Sequence, residues 1–283
     1  MPGRLEGKVA FITGAARGQG RAHAIRMAEE GADIVAVDIC RQIESNLYPL
    51  ATLEDLDETE RAVKGLGRRI VTRVGDVRER SELRAAVDEG LQQFGRVDIV
   101  VAQAGILPMG LHDNPMDFID ASDVDLLGVM NTVAVNLPHL PNGASIIITG
   151  STAAMMSGTV QGNPGGAGYA WAKNVLMGYT EQMALQCSPR FIRVNCIHPT
   201  NVNTHLVQNE QVYKMFCPDI EAPTREDAEP RFSYFQGMPI PYIEPVDCAN
   251  LAVFLASEES RYITGQQIRI DAASLLKFPN GPT

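Results

Sequence analysis

Thr13-Gly14-Ala15-Ala16-Arg17-Gly18-Gln19-Gly20 follows the apolar run Val9–Thr13 and opens an amphipathic stretch, and this strand-to-helix junction sets the fold. Glycines there permit a tight turn and close backbone approach, so the free N–H groups and positive dipole end of a helix can receive a pyrophosphate. A glycine cluster alone is a weak signal, but here the context is the one the mechanism requires. Asp38 closes the next apolar run 18 residues after Gly20, where its carboxylate can accept both hydroxyls of an adenosine ribose, with Ile39 beside it. The same carboxylate repels a 2′-phosphate, which favours NAD over NADP. Arg17 pulls the other way as a cation within the turn, yet Ile39 and Cys40 add no second cation beside Asp38. The plain alternative is a tight turn with Asp38 as a helix cap.

Outward from this junction, short Val- and Ile-rich runs alternate with longer amphipathic stretches, the pattern of βαβ units around a parallel sheet buried on both faces. The strands expected are Val9–Thr13, Ile34–Asp38, Ile70–Val74, Val97–Ala102, Ser145–Thr149, Phe191–Ile197 and Gln267–Ile270. Helices fit between them at Arg21–Glu30, Leu53–Lys64, Ser81–Phe94, Val124–Leu137, Ala167–Gln186 and Val246–Ser257. The chain therefore reads as one α/β domain over residues 1–283, a doubly wound (Rossmann) seven-stranded parallel sheet with helices on both faces. Ligands bind such a sheet at the carboxyl ends of its strands.

Two passages break the rhythm. Arg41–Ala51 lengthens the link from the second strand to its helix. His205–Glu244 carries Pro218, Pro223, Pro230, Pro239 and Pro241 among Tyr213, Phe216, Phe232, Tyr234 and Phe235, and its aromatics favour a lid over a disordered tract.

Composition excludes several classes. Lys and Arg number 24 against 34 Asp and Glu, a formal charge of -10, which repels a phosphate backbone and argues against nucleic acid. No apolar stretch reaches bilayer length and MPGRLEGKVAF lacks the features of a secretion signal, so a cytoplasmic protein without membrane association is expected. Cys40, Cys187, Cys196, Cys217 and Cys248 are scattered, and His23, His112, His139, His198 and His205 show no chelating spacing; no metal is expected.

Tyr169 and Lys173 lie four residues apart on an expected helix and so share a face. A phenol titrates near pH 10 and carries protons poorly at neutrality unless a cation stabilises the phenolate, which Lys173 can do. Such a pair is common by chance. Ser151, just after the strand Ser145–Thr149 at the ligand edge, raises its weight.

With these residues in place the chain resembles the short-chain dehydrogenase/reductase family along nearly its whole length. The motifs are Thr13–Gly20, Asp76-Val77 after the third strand, Ala104-Gly105 after the fourth, Ser151, Tyr169 with Lys173, His198–Thr204, and Ile263-Thr264-Gly265 before the last strand. The resemblance implies that Tyr169 is the general acid/base, that Ser151 orients the substrate oxygen, and that Lys173 binds the nicotinamide ribose and acidifies Tyr169. It implies a cofactor site built from Gly14, Arg17, Gly18, Gln19, Gly20, Asp38, Ile39, Asp76, Val77, Gln103, Ala104 and Gly105. Pro199, Val202 and Thr204 would hold the carboxamide, and the protein would be a homotetramer.

The run Val37–Val63 and the wide spacing between Ser151 and Tyr169 resemble the mycobacterial carveol-dehydrogenase-like subfamily, associated with the peptide-derived redox cofactor mycofactocin. That implies a terpenoid-like secondary alcohol, an NAD held without exchange beneath the inserted segment, and reoxidation in place by a second redox partner. Three positions depart from the family pattern. Gln103 stands for the Asn of Asn-Ala-Gly, putting its bracing hydrogen bonds in doubt; Gly150 stands for the first serine of a Ser-Ser pair; and Asp125 stands for the Asn that holds a water linking the lysine to solvent. Asp125 accepts that water's hydrogen bonds but offsets the charge of Lys173, so it should move the pH optimum upward.

The expected function is thus NAD-dependent oxidation of an apolar secondary alcohol, with Met109, Met155, Met156, Trp171 and Leu206 as candidate pocket residues and core packing or subunit contact as their plainer role. A hydroxysteroid or 3-oxoacyl reductase running in the opposite direction is the first alternative. A catalytically weak NAD-binding sensor is the second.

Overall fold

A computed structural model describes residues 3–109, 114–156 and 162–277; His112 and part of the stretch between Ser151 and Tyr169 lie outside them. All seven expected strands form: β1 (Val9–Thr13), β2 (Asp33–Asp38), β3 (Ile70–Val74), β4 (Ile99–Ala102), β5 (Ser145–Thr149), β6 (Arg193–Pro199) and β7 (Gln267–Ile270). They build one parallel sheet in the order β3-β2-β1-β4-β5-β6-β7. The chain runs outward from β1 in both directions, so the order reverses between β1 and β4, and a crevice opens there at the carboxyl edge.

Strand residues alternate between two apolar layers. Val9 and Phe11 of β1 pack with Leu83 of α3 (Arg80–Phe94) and Leu176, and Ala10 and Ile12 pack with Met27 and Val253 on the other face. Every residue of β1, β2, β4, β5 and β6 is buried, Arg193, Asn195 and His198 of β6 included, whereas the edge strands β3 and β7 are half-exposed. The helices on the two faces are α1 (Gly18–Glu29), α2 (Leu53–Gly65) and α3, then α4 (Pro115–Ser122), α5 (Val129–Asn136) and α6 (Pro164–Cys187), with α7 (Glu210–Phe216), α8 (Arg225–Phe235), α9 (Pro245–Ala256) and the short α10 (Ser274–Lys277) following.

Two expectations need correction. The expected helix Val124–Leu137 is divided, since a π-helical turn over Asp123–Gly128 joins α4, which precedes it, to α5 within it. The wider turn accommodates an extra residue without breaking the helical path, which an apolar periodicity does not reveal. The passage His205–Glu244 is not a loop either: α7 and α8 form inside it, started by Asn209 and Thr224, whose side chains accept backbone N–H groups. Phe216 meets Phe232 edge-on at 4.7 Å and Phe235 at 5.2 Å, and Phe216 and Phe232 share a small core with Leu107 and Val212.

Candidate active site

The glycine turn enters α1 at the carboxyl end of β1. Gly14 sits at φ +66°, and a Cβ on it would lie 2.9 Å from the Ala104 Cα; a Cβ on Gly20 would lie 1.9 Å from the Gly14 carbonyl. Both positions exclude any other residue on packing grounds alone. Arg17, the residue before α1, makes no side-chain cap, and the first turn of α1 carries no carboxylate. The helix therefore keeps its amide donors and dipole for an anion. The Gln19 Oε1 is buried in the same cleft without a hydrogen-bond partner, an acceptor left for a ligand.

Asp38 ends β2 on the opposite wall. Its Oδ2 accepts the Ala16 amide at 2.9 Å and its Oδ1 accepts the Cys40 amide at 3.2 Å, which fixes the carboxylate and leaves a lone pair on each oxygen. Burial raises its pKa above the ordinary carboxylate value, opposed by these amides and by Arg17. Ile39, Asp76, Val77, Ala104 and Gly105 line the rest of the cleft with Gly18 and Thr204. Asp76 accepts Arg78 at 2.7 Å and Arg41 at 3.1 Å and is held below the ordinary value although burial opposes this. Features of this kind suit a dinucleotide: a glycine turn with free amides, an anchored carboxylate in the same cleft, and an orphaned buried amide oxygen.

Further along the carboxyl edge, the cleft joins a polar chamber lined by Asp125, Ser151, Tyr169, Lys173, Pro199, Val202 and Thr204, with Gln19, Gln103 and Gly105 shared between the two. Lys173 donates to the Thr149 carbonyl at 3.0 Å, pairs with Asp125 at 3.1 Å, and stands 5.6 Å from the Tyr169 ring centre. The Ser151 hydroxyl and the Tyr169 phenol line the same chamber, and Ser151 favours the ionised form of the phenol. The i, i+4 spacing on α6 puts Tyr169 and Lys173 on one face, and the π-helical turn brings Asp125 to meet them. Gly105 leaves room for that meeting, because a Cβ there would lie 2.5 Å from Asp125 Oδ1.

The electrostatics of this group are coupled. Burial pushes the Asp125 carboxyl up to about 6, against the pull of Lys173. Burial also works against the Lys173 ammonium, but Asp125 and Tyr169 outweigh it and hold the amine charged above its ordinary range. The Tyr169 phenol is raised by burial and by Asp125, while Lys173 and Ser151 draw it down.

The two other departures now have physical reasons. Gln103 braces the sheet after all: its Oε1 accepts the Thr149 hydroxyl at 2.7 Å and lies 3.1 Å from His23 Nε2, so the longer side chain ties β4 to β5 and α1. Gly150 is required by His198, since a Cβ at Gly150 would lie 2.5 Å from the imidazole. His198 Nε2 lies 2.8 Å from Gln267 Oε1, while Nδ1 lies 3.2 Å from the Ser151 amide and 3.1 Å from its carbonyl. This ring positions Ser151, a role the sequence reading missed because the partners lie far apart in the chain.

Tyr169 and Ser151 also face a third space, an open apolar cavity of about 520 Å3 beneath α7 and α8. Met156, Leu206, Val207, Val212, Met215 and Phe216 line it. Met109 is instead buried in the small core with Leu107, Met155 is not among the lining residues, and Trp171 turns outward, 47% exposed, against the Phe118 ring at 5.7 Å. Tyr48, which sequence did not single out, is buried within the inserted segment and its hydroxyl accepts the Leu107 amide at 3.4 Å. Among the described residues, no three His, Cys, Asp or Glu side chains gather to hold a metal ion, and no helix is long and apolar enough to cross a membrane.

A family model described as enoyl-(acyl carrier protein) reductase matches residues 14–272. (-)-trans-Carveol dehydrogenase of Rhodococcus erythropolis is 45% identical over 280 residues, 97% of this chain and 99% of the relative. Among solved structures, carveol dehydrogenase from Mycobacterium avium in complex with NAD superposes with a TM-score of 0.91 at 45% identity, covering 97% of this chain and 99% of that one. A short chain dehydrogenase from Mycobacterium paratuberculosis bound to NAD gives a TM-score of 0.85 at 39% identity, covering 97% and 100%. With the family model and these relatives matching it along nearly its full length, the chain belongs to the short-chain dehydrogenase/reductase family.

Proposed function

We propose that this protein is an NAD-dependent dehydrogenase of apolar secondary alcohols. One observation carries the reading: Ser151, Tyr169 and Lys173 converge where the nucleotide-shaped cleft opens into the apolar cavity. NAD, when bound, supplies the hydride acceptor. The amides of Gly18, Gln19 and Gly20 hold its pyrophosphate, Asp38 accepts the adenosine ribose hydroxyls and excludes a 2′-phosphate, and Lys173 takes the nicotinamide ribose.

The chain's own chemistry is proton handling. A substrate hydroxyl placed between Ser151 and Tyr169 donates to the phenolate while the serine hydroxyl holds the same oxygen in line. Lys173 stabilises that phenolate through space, and the Thr149 carbonyl and Asp125 fix the ammonium on the Tyr169 side of α6. His198 prevents Ser151 from turning away. Roofed by α7 and α8, the cavity limits the water that reaches the departing proton and hydride.

Finer assignments belong to the same proposal. The substrate is a cyclic, terpenoid-like alcohol, in keeping with a cavity lined by Met and Phe side chains under a helical lid. NAD is retained between turnovers beneath the inserted segment and is reoxidised in place by an external redox cofactor such as mycofactocin, and the subunits form a homotetramer through faces that include Trp171. The test is to purify the protein, identify the nucleotide that stays bound after desalting, and assay cyclic secondary alcohols with an artificial electron acceptor. Bound NAD and acceptor-dependent turnover support the reading. Rapid exchange with added NADPH and preferred reduction of ketones would replace it with a reductase, and cofactor binding without any turnover would replace it with a sensor.

A further inference from the structure

One buried hydroxyl in the substrate cavity has no protein partner. Ser274, the first residue of α10, lines the cavity and is 1% exposed, yet its Oγ makes no hydrogen bond. An unmet buried hydroxyl is costly and rare in a folded chain, and it calls for an account.

The backbone that delivers Ser274 is itself unusual. Ala272 and Ala273 both adopt left-handed conformations, at φ 45° and 61°, which a side chain with a Cβ resists. Their surroundings hold them there. The Ala272 carbonyl accepts the amides of Gly237 and Met238 at 2.8 and 3.0 Å, and the Asp271 carboxylate accepts those of Ala273 and Leu275 at 3.2 and 3.1 Å. Gly237 is a glycine for this reason, since a Cβ there would lie 2.7 Å from the Ala273 Cβ. Lys277 closes the arrangement by donating to the carbonyls of Tyr234 and Gln236 at 2.6 and 3.1 Å. Strain retained by so many contacts is a feature of functional sites, and here it delivers Ser274 to the wall of the cavity.

Three other polar side chains of the wall, those of Thr200, Gln236 and Arg231, are already committed. The Thr200 hydroxyl and the Gln236 amide bond to each other at 2.9–3.0 Å, and Arg231 is held by Asp219 at 2.5 and 2.8 Å. We propose that Ser274 is a specificity residue, a second polar anchor that hydrogen-bonds an oxygen on the substrate other than the one being oxidised. The substrate class is then an apolar cyclic secondary alcohol that carries a second oxygen function, its reacting hydroxyl at Ser151 and Tyr169 and its hydrocarbon frame against Leu206, Val207 and Phe216. This deepens the alcohol-dehydrogenase reading and rests on it.

Carveol and sobrerol test the inference, because sobrerol keeps the ring alcohol of carveol and adds a tertiary hydroxyl that is not oxidised. Ser274→Ala should lower kcat/KM for sobrerol about five- to tenfold, mainly through KM, and change that for carveol less than twofold. Ser274→Cys, which keeps the volume but offers only a weak donor, should behave like Ala and carries the test if the alanine variant does not fold. An equal loss on both alcohols, or none on either, overturns the anchor and leaves the dehydrogenase reading standing. Wild-type protein that oxidises neither alcohol with an artificial acceptor overturns both.

Discussion

The carboxylate of Asp125 and the ammonium of Lys173 stand 3.1 Å apart with both side chains sealed from solvent. Such a pair divides the influence of the lysine, because the charge that draws the Tyr169 phenol down is partly met by a carboxylate that pushes it up. In the proposed mechanism oxidation needs the phenolate, so activity should rise as Tyr169 loses its proton. Replacing Asp125 by a neutral amide of the same shape leaves Lys173 to act alone on the phenol. In Asp125→Asn, the acid limb of the kcat/KM profile for alcohol oxidation should move down by about one pH unit. An unchanged profile would show that the pair does not set the working pH.

His23 gives a separate prediction about acid stability. Its ring is fully buried, Nε2 meets Gln103 Oε1 at 3.1 Å, Nδ1 has no partner, and burial pushes the imidazole from its ordinary 6.5 down to about 4. As pH falls below 6.5 the unfolded chain takes up this proton while the folded one resists it, so unfolding is favoured progressively until about pH 4. The contribution is roughly 3 kcal/mol across that interval. His198, also lowered by burial, adds in the same direction. Denaturant unfolding of His23→Gln at pH 7 and 4.5 should show a smaller loss than wild type; parallel losses would remove His23 as a cause.

How much of this was legible depended on whether the physics was local. Strands buried on both faces appear as Val and Ile runs, and the glycine turn and Asp38 carry their own spacing, so the sheet and the nucleotide cleft could be read from the chain. The π-helical turn at Asp123–Gly128 could not, because an inserted residue blurs the 3.6-residue period and leaves no signature of its own. The prolines between Tyr213 and Tyr242 hid two capped helices, whose caps at Asn209 and Thr224 were the available sign. Pairings such as His198 with Ser151 and Gln103 with His23 join strands and helices across the sheet, and only the fold brings them together.

Gly150 shows what such a pairing demands. The family's serine at this position would place its Cβ 2.5 Å from the His198 ring and 2.8 Å from the Cys196 Sγ. Gly150→Ser should therefore destabilise the fold by about 2 kcal/mol through overpacking, read as a lower thermal midpoint. Because His198 holds the Ser151 backbone, turnover should fall by more than the stability loss explains. Adding His198→Ala to Gly150→Ser should restore the midpoint in part. No recovery in the double variant would mean that the imidazole is not the obstacle.

The proposed retention of NAD gives Arg17 a role that can be tested. Its guanidinium donates to the Pro49 carbonyl, drawing the inserted segment toward the glycine turn, while the Tyr48 hydroxyl accepts the Leu107 amide at 3.4 Å on the far side. Both Arg17 and Tyr48 line the cleft, so the segment is tied at two points along the path a dinucleotide must take. Cutting either tie lets the segment lift without touching Asp38 or the Ser151–Tyr169–Lys173 group. Arg17→Ala should speed exchange of bound NAD for labelled NAD at least tenfold, with occupancy after desalting reduced. Arg17 is also a cation near the pyrophosphate site, so Tyr48→Phe, which removes no charge, separates the two effects. Faster exchange in both variants assigns retention to the tethered segment, whereas faster exchange in Arg17→Ala alone assigns it to phosphate binding and refutes the tether.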